Sequence, residues 1–140
     1  MRYMVYVLLQ LTWGLPQSLV GLAICLFCRS GGRSCYRGAV STEWSLGAGL
    51  SMGMFIFMPR EFPEERRQKL LVHEYGHTIQ SLILGPLYLP LVALPSVLWA
   101  NFPVFRRLRN ERGISYYSVY PENWADRLGS KVTGETSERL

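Results

Sequence analysis

The stretch LVHEYGHTIQ, residues 71–80, places His73, Glu74 and His77 in the order H-E-x-x-H. Residues four apart share one face of a helix. Two imidazoles on one face can grip a zinc ion, and the glutamate between them can serve as a base. The flanking residues support a helix. Pro63 suits a first helical position, Glu64 and Glu65 suit the first turn, and Gly85 followed by Pro86 suits the end. The spacing predicts one helix over residues 63–84, with Leu70, His73, His77, Gln80 and Leu84 along one stripe. Gly76, lacking a side chain, lets another element approach closely.

The chain holds only two histidines, both in this motif. A third protein ligand must come from elsewhere. In PENWAD, Glu122 and Asp126 are four apart and share a face of a helix expected from Pro121 to a stop at Gly129. Glu122 would complete a His-His-Glu set and leave a fourth position for water. Asp126 would accept the N–H from the far nitrogen of a metal-bound histidine. The same two carboxylates also fit the exposed face of an amphipathic helix. Glu61, Glu64 and Glu65 lie upstream on the metal helix and cannot fold back to its metal face. Glu111 and Glu135 sit in charged or flexible stretches. Glu122 is the best candidate.

Composition points to a membrane. Among 140 residues, two stretches, 3–28 and 82–105, are almost free of charge. Each exceeds the ~18–20 apolar residues that span a bilayer. The first has a single basic flank, Arg2, a long apolar core and no A-x-A site, so it reads as an uncleaved anchor helix, kinked near Gly14–Pro16. Ile24 before Cys25 is too bulky for a lipoprotein signal. The expected organisation is an anchor over 1–28, a metallopeptidase-like domain over 29–132 and a loose polar tail over 133–140. Cys25, Cys28 and Cys35 form an odd set with no fourth sulfur or nearby histidine, which argues against a disulfide scaffold. The net charge of +5 is not organised as a basic, aromatic-interleaved face, so no nucleic-acid partner is expected. Basic residues instead flank the apolar stretches: Arg29, Arg33 and Arg37 after the first, Arg106, Arg107, Arg109 and Arg112 after the second.

Between anchor and metal helix, CYRGAVST and LSMGMFIFM read as two strands of one β-hairpin over residues 35–58, with EWSLGAG supplying the turn. The second apolar stretch carries Pro86, Pro90, Pro95 and Pro103. A straight helix would hold two of these in its interior, so two half-helices meeting near Leu94–Pro95 are expected. GISYYSVY looks strand-like. The fold class is therefore an α+β membrane protein: a transmembrane helix, a short hairpin, the H-E-x-x-H helix, a proline-bent re-entrant hairpin and a short helix bearing Glu122.

H-E-x-x-H on one helix, with a glutamate in E-x-x-x-D on a later one, resembles the gluzincin group of zinc metallopeptidases. The resemblance covers about a third of the chain and is closer to minimal membrane-embedded members than to large secreted ones. It implies that His73, His77 and Glu122 bind Zn2+, and that Glu74 takes a proton from the zinc-bound water and passes it to the leaving amine. It implies a further donor for the carbonyl oxygen in the transition state. With no spare histidine, Tyr116, Tyr117 and Tyr120 are the candidates. It also implies a strand lining the cleft and pairing with extended substrate, the place taken by SMGMFIFM. W-G-L-P-Q near the start, with H-E-Y-G-H-T-I-Q later, is also similar to small membrane proteins, which adds no activity. No N-P-D-G-type segment is present, so a site-2 protease is a poorer match.

A shared site constrains topology. If His77 and Glu122 bind one ion, the stretch 82–105 must enter the bilayer and return. Basic residues on both its flanks then place the site on the cytoplasmic side or at the membrane interface, with Met1 outside. The implied function is a membrane-associated zinc peptidase acting on peptide or protein. The alternative is a non-catalytic integral membrane protein with a structural or decayed zinc site. A transporter is weaker, because few ionisable residues lie in the apolar stretches.

Overall fold

Pro63 and Gly85 bracket the central element of the structure, a computed structural model that describes residues 3–28 and 31–138. Residues 1–2, 29–30 and 139–140, which belong to the expected anchor, loop and tail, lie outside the described residues. The central helix, α3, spans Glu64–Leu84. Pro63 is its N-cap with extended backbone, and Glu64 and Glu65 occupy the first turn. It stops where Gly85 takes φ +56°, a conformation that a side chain resists. One face packs on a cluster of Tyr6, Ala39, Ile56, Met58, Leu70, Tyr75 and Ile79. Another faces the last helix, α6 (Glu122–Thr133).

Two glycines set the distance between those helices. A Cβ on Gly76 would fall 1.9 Å from the Ala125 carbonyl oxygen, and one on Gly129 would fall 2.1 Å from the Val72 carbonyl oxygen. The two backbones therefore touch, as expected for Gly76. Gly129 is no stop; it lies inside α6, and Gly134 caps the helix in the left-handed region. The tail also departs from expectation. Ser137 is buried against Asp126, and Glu135 reaches Arg37, Tyr36 and Gln68.

The predicted single hairpin is a four-stranded sheet: β1 (Arg33–Tyr36), β2 (Ala39–Trp44), β3 (Leu50–Met52) and β4 (Phe55–Pro59), in the order β1-β2-β4-β3. Each run read as one strand folds on itself. Arg37 and Gly38 both have positive φ, at 50° and 93°, the signature of a type I′ turn. Gly53, at φ 60°, leads the second turn, the II′ pattern. The segment read as the hairpin turn is instead the loop from β2 to β3. It lets β2 pair with β4 in parallel, Val40 opposite Phe55, and leaves β3 on the edge beside α3.

The expected anchor is two helices, α1 (Tyr3–Thr12) and α2 (Leu15–Phe27), bent by 94°. Pro16, in the first turn of α2, needs no backbone donor there. α1 lies along α3: Tyr6 stacks on Tyr75, Gln10 bonds the Thr78 carbonyl, and Trp13 meets Gly85. The second apolar stretch runs through a short 3-10 turn (Gly85–Leu87), a π-helical turn (Leu89–Ala93) and α4 (Leu94–Asn101), then α5 (Pro103–Arg112). It does not bend at Leu94–Pro95. Pro90 and Pro95 fall in first turns, where a missing N–H costs little. The 69° bend comes at Phe102, which Pro103 forces into extended backbone. GISYYSVY is not a strand; Tyr116–Ser118 forms a 3-10 turn. Among the described residues no single helix is long and apolar enough to cross a membrane, and two bent pairs meet that test only jointly.

The close approach makes a clear demand. Gly76→Ala should destabilise the fold by about 1–3 kcal/mol through overpacking and weaken metal retention. Thermal unfolding and metal content check this. An unchanged melting temperature would mean the helices are not in contact there.

Candidate metal centre

His73 and His77, four apart on α3, face Glu122 in the first turn of α6. All three are buried, and their ligand atoms lie within 4.8 Å of one another. Glu122 Oε2 is 3.0 Å from His73 Nε2 and 3.3 Å from His77 Nε2. A tetrahedral zinc with bonds of 2.0–2.1 Å has ligand–ligand edges of about 3.3 Å. Two imidazole nitrogens and one carboxylate oxygen at this spacing fit a single divalent ion with an open fourth position.

The outer atoms fix which nitrogens face inward. His73 Nδ1 is 2.8 Å from Asp126 Oδ1, and His77 Nδ1 is 2.7 Å from Gln80 Oε1. The Gln80 amide donates through Nε2 to the Pro121 carbonyl at 2.9 Å, which turns its own oxygen toward His77. Both partners are acceptors, so each Nδ1 carries the hydrogen and each Nε2 presents a lone pair to the centre. Lone pairs opposite a buried carboxylate oxygen require a cation between them. Without a metal ion, a proton serves. Burial would lower the His73 pKa, but its bonds to Asp126 and Glu122 and the nearby Glu74 charge outweigh that and raise it to about 10. Burial likewise would raise Glu122, and the His77 charge with the two histidine contacts holds it well below the usual carboxylate range. The site is built for positive charge.

Asp126, expected to orient a histidine, stands in contact with His73 Nδ1. Ser137 Oγ donates to the same Asp126 Oδ1 that meets His73. Ser96 Oγ donates to Glu122 Oε1, leaving Oε2 for the centre. These supports, with Gln80, were not foreseen from sequence. Gln80 stands three residues after His77, within helical reach, and could have been found; Ser96 and Ser137 leave no local signal.

Glu74 lies outside the trio. Ser51 Oγ sits 2.7 Å from its Oε2 and 2.9 Å from its carbonyl oxygen, and its one hydrogen serves one of them at a time. Burial raises the Glu74 pKa above the usual carboxylate range. A Cβ on Gly49 would fall 2.2 Å from Glu74 Oε1, so the β2–β3 loop passes directly over the carboxylate. Tyr88 ties β3 to the apolar stretch by donating to the Ser51 carbonyl at 3.0 Å.

Two cavities meet here. One of about 30 Å³ touches Glu74, His77, Glu122, Ser96, Tyr88 and Tyr116. That is room for about one small ion or water. The other, a cleft of about 410 Å³, reaches His73 and Glu74 from outside. Of the three tyrosine candidates, Tyr116 borders both cavities, with its hydroxyl 3.3 Å from Ser96 Oγ. Burial and the Glu122 charge push its pKa up, so it keeps its proton. Tyr117 borders the cleft and sets its ring edge-on to His73. Tyr120 is not brought in; it is half exposed and stacks on Trp124.

Asp126→Asn should lower zinc affinity by about 10–100-fold, with a smaller loss for Ser137→Ala, measured by competition with a chromophoric chelator. Unchanged affinity in Asp126→Asn would deny it the orienting role.

Comparison with known protein families, curated proteins and solved structures finds no match to this chain.

Proposed function

We propose that this chain is a membrane-associated zinc-dependent peptidase. The observation that carries the reading is the place of Glu74: a buried carboxylate beside the metal trio, not part of it, on the wall of an open cleft. A structural zinc is closed by four protein ligands, whereas a catalytic one keeps a position for water. His73, His77 and Glu122 supply three.

A zinc ion held by these residues would supply an acidified water and polarise a carbonyl. Glu74 would serve as the general base there, taking up a proton on a carboxylate oxygen and returning it to the departing amine. Tyr116 would donate a hydrogen bond from its hydroxyl, without losing the proton, to the substrate carbonyl oxygen as that oxygen gains charge. Ser96 and Asp126 hold Glu122 and His73 in place. The edge position of β3, beside Glu74, suits an extended peptide added along it.

The membrane part of the reading rests on inverted polarity. In α1 and α2 the polar residues point inward. Gln10 bonds the Gly53 and Thr78 carbonyls, Gln17 bonds Ser81 and the Gly85 carbonyl, and Ser18 bonds the Gln10 carbonyl. All three are buried. Leu15, Leu19, Leu22 and Leu26, one helical stripe, face outward, and Phe27 is 86% exposed. Water disfavours such an arrangement and lipid favours it. α5 adds a basic amphipathic surface, with exposed Phe102 and Val104 beside exposed Arg106, Arg107 and Arg112, suited to an anionic interface. On this reading the metal centre lies at the membrane boundary, and the basic flanks favour the cytoplasmic side.

In reconstituted vesicles, Glu74→Gln should keep its zinc and lose peptide cleavage by at least about a hundredfold. Zinc analysis and mass spectrometry of a peptide pool read both. Equal cleavage by parent and variant, or none by either with zinc bound, favours a structural ion in a non-catalytic membrane protein.

A further inference from the structure

Beyond the metal trio, the 410 Å³ cleft extends along α3 rather than ending at it. Arg66, Leu70, His73 and Glu74 all line it, and their spacing puts them on one face of the helix. Eight residues of helix from Glu74 to Arg66 cover about 12 Å. An extended peptide covers that length in about three to four residues. The intervening walls are apolar: Leu50 and Leu70 on one side, Val97 and Ala100 on α4. Among the described residues, Arg66 is the only arginine or lysine on the lining.

The Arg66 side chain is presented rather than consumed. Its guanidinium lies over the Phe62 ring at 4.2 Å, which holds its plane. Its Nε approaches Glu138 at 4.0 Å, the outer limit of an ion pair, and the side chain stays 58% exposed. A planar guanidinium at the end of an apolar channel matches a carboxylate in two-point contact.

We propose that Arg66 anchors substrate: the cleft takes an extended apolar peptide segment whose carboxylate meets Arg66 about three to four residues from the scissile bond. The inference rests on the peptidase reading. The carboxylate comes from an acidic side chain or from the peptide's own C-terminus, and both present the same group.

The test uses the full-length, zinc-loaded protein in vesicles with three matched sets of apolar peptides. One carries Glu or Gln at the third and fourth positions on either side of each candidate bond. The second ends there in a free carboxylate or an amide. The third carries Lys. Cleavage products are measured by mass spectrometry, alongside the zinc content of every variant. The carboxylate form should be cleaved about three- to tenfold more efficiently, through KM. The first two sets tell side chain from terminus. Arg66→Glu should turn the preference toward Lys, and Arg66→Lys should keep part of the original one. A structural role for Arg66 would not reverse the preference. Glu74-dependent cleavage indifferent to peptide charge overturns the anchor and leaves the peptidase reading standing. Absence of Glu74-dependent cleavage in every set overturns both.

Discussion

A buried carboxylate held against two imidazole lone pairs is the constraint on which this structure turns. Glu122 is buried, and its Oε2 faces Nε2 of both histidines within 3.3 Å. Such a cluster is stable only with positive charge at its centre, because unpaired buried charge costs several kcal/mol. Every outer bond serves that arrangement. Asp126 and Gln80 hold the hydrogens on the outer nitrogens, and Ser96 occupies the other Glu122 oxygen. The helix contact beneath it, with Gly76 against Ala125 and Gly129 against Val72, is what allows α6 to bring a carboxylate that close.

The rest of the chain can be understood as support for that pair of helices. The sheet and α1 pack against α3 through Ile56, Met58, Tyr6 and Tyr75. β3 brings Ser51 to Glu74, and Tyr88 fastens β3 to the segment leading into α4. α4 then supplies Ser96 to the metal centre and a wall to the cleft. Polar groups of α1 and α2 are spent on α3 and its C-terminal Gly85, so their outer surfaces are left apolar. The same residues that brace the site thus produce the surface that we assign to lipid.

Much of the centre was legible because its parts are local. His73 and His77 form one i, i+4 pair and Glu122 and Asp126 another, and each pair needs only a helix to become a face. Their meeting needed one further inference, that a later carboxylate must complete the set. The sheet was misread because the glycines of EWSLGAG looked like the stronger turn, whereas Arg37, Gly38 and Gly53 carry the positive φ angles of the two-residue hairpin turns. The tyrosines of GISYYSVY have strand preference, but that preference reflects packing on a sheet surface, and here the Tyr117 ring packs edge-on to His73 and Tyr116, whose carbonyl accepts the Trp99 indole N–H. Ser137 comes from a polar tail whose composition gives no hint of burial.

X-ray absorption at the zinc edge tests the central claim most directly. For the zinc-loaded protein the account predicts two imidazole nitrogens and oxygen donors at about 2.0–2.1 Å, with one oxygen donor lost or replaced in Glu122→Ala. A first shell of two imidazoles that is unchanged by Glu122→Ala, or the absence of stoichiometric zinc from the purified protein, would contradict it.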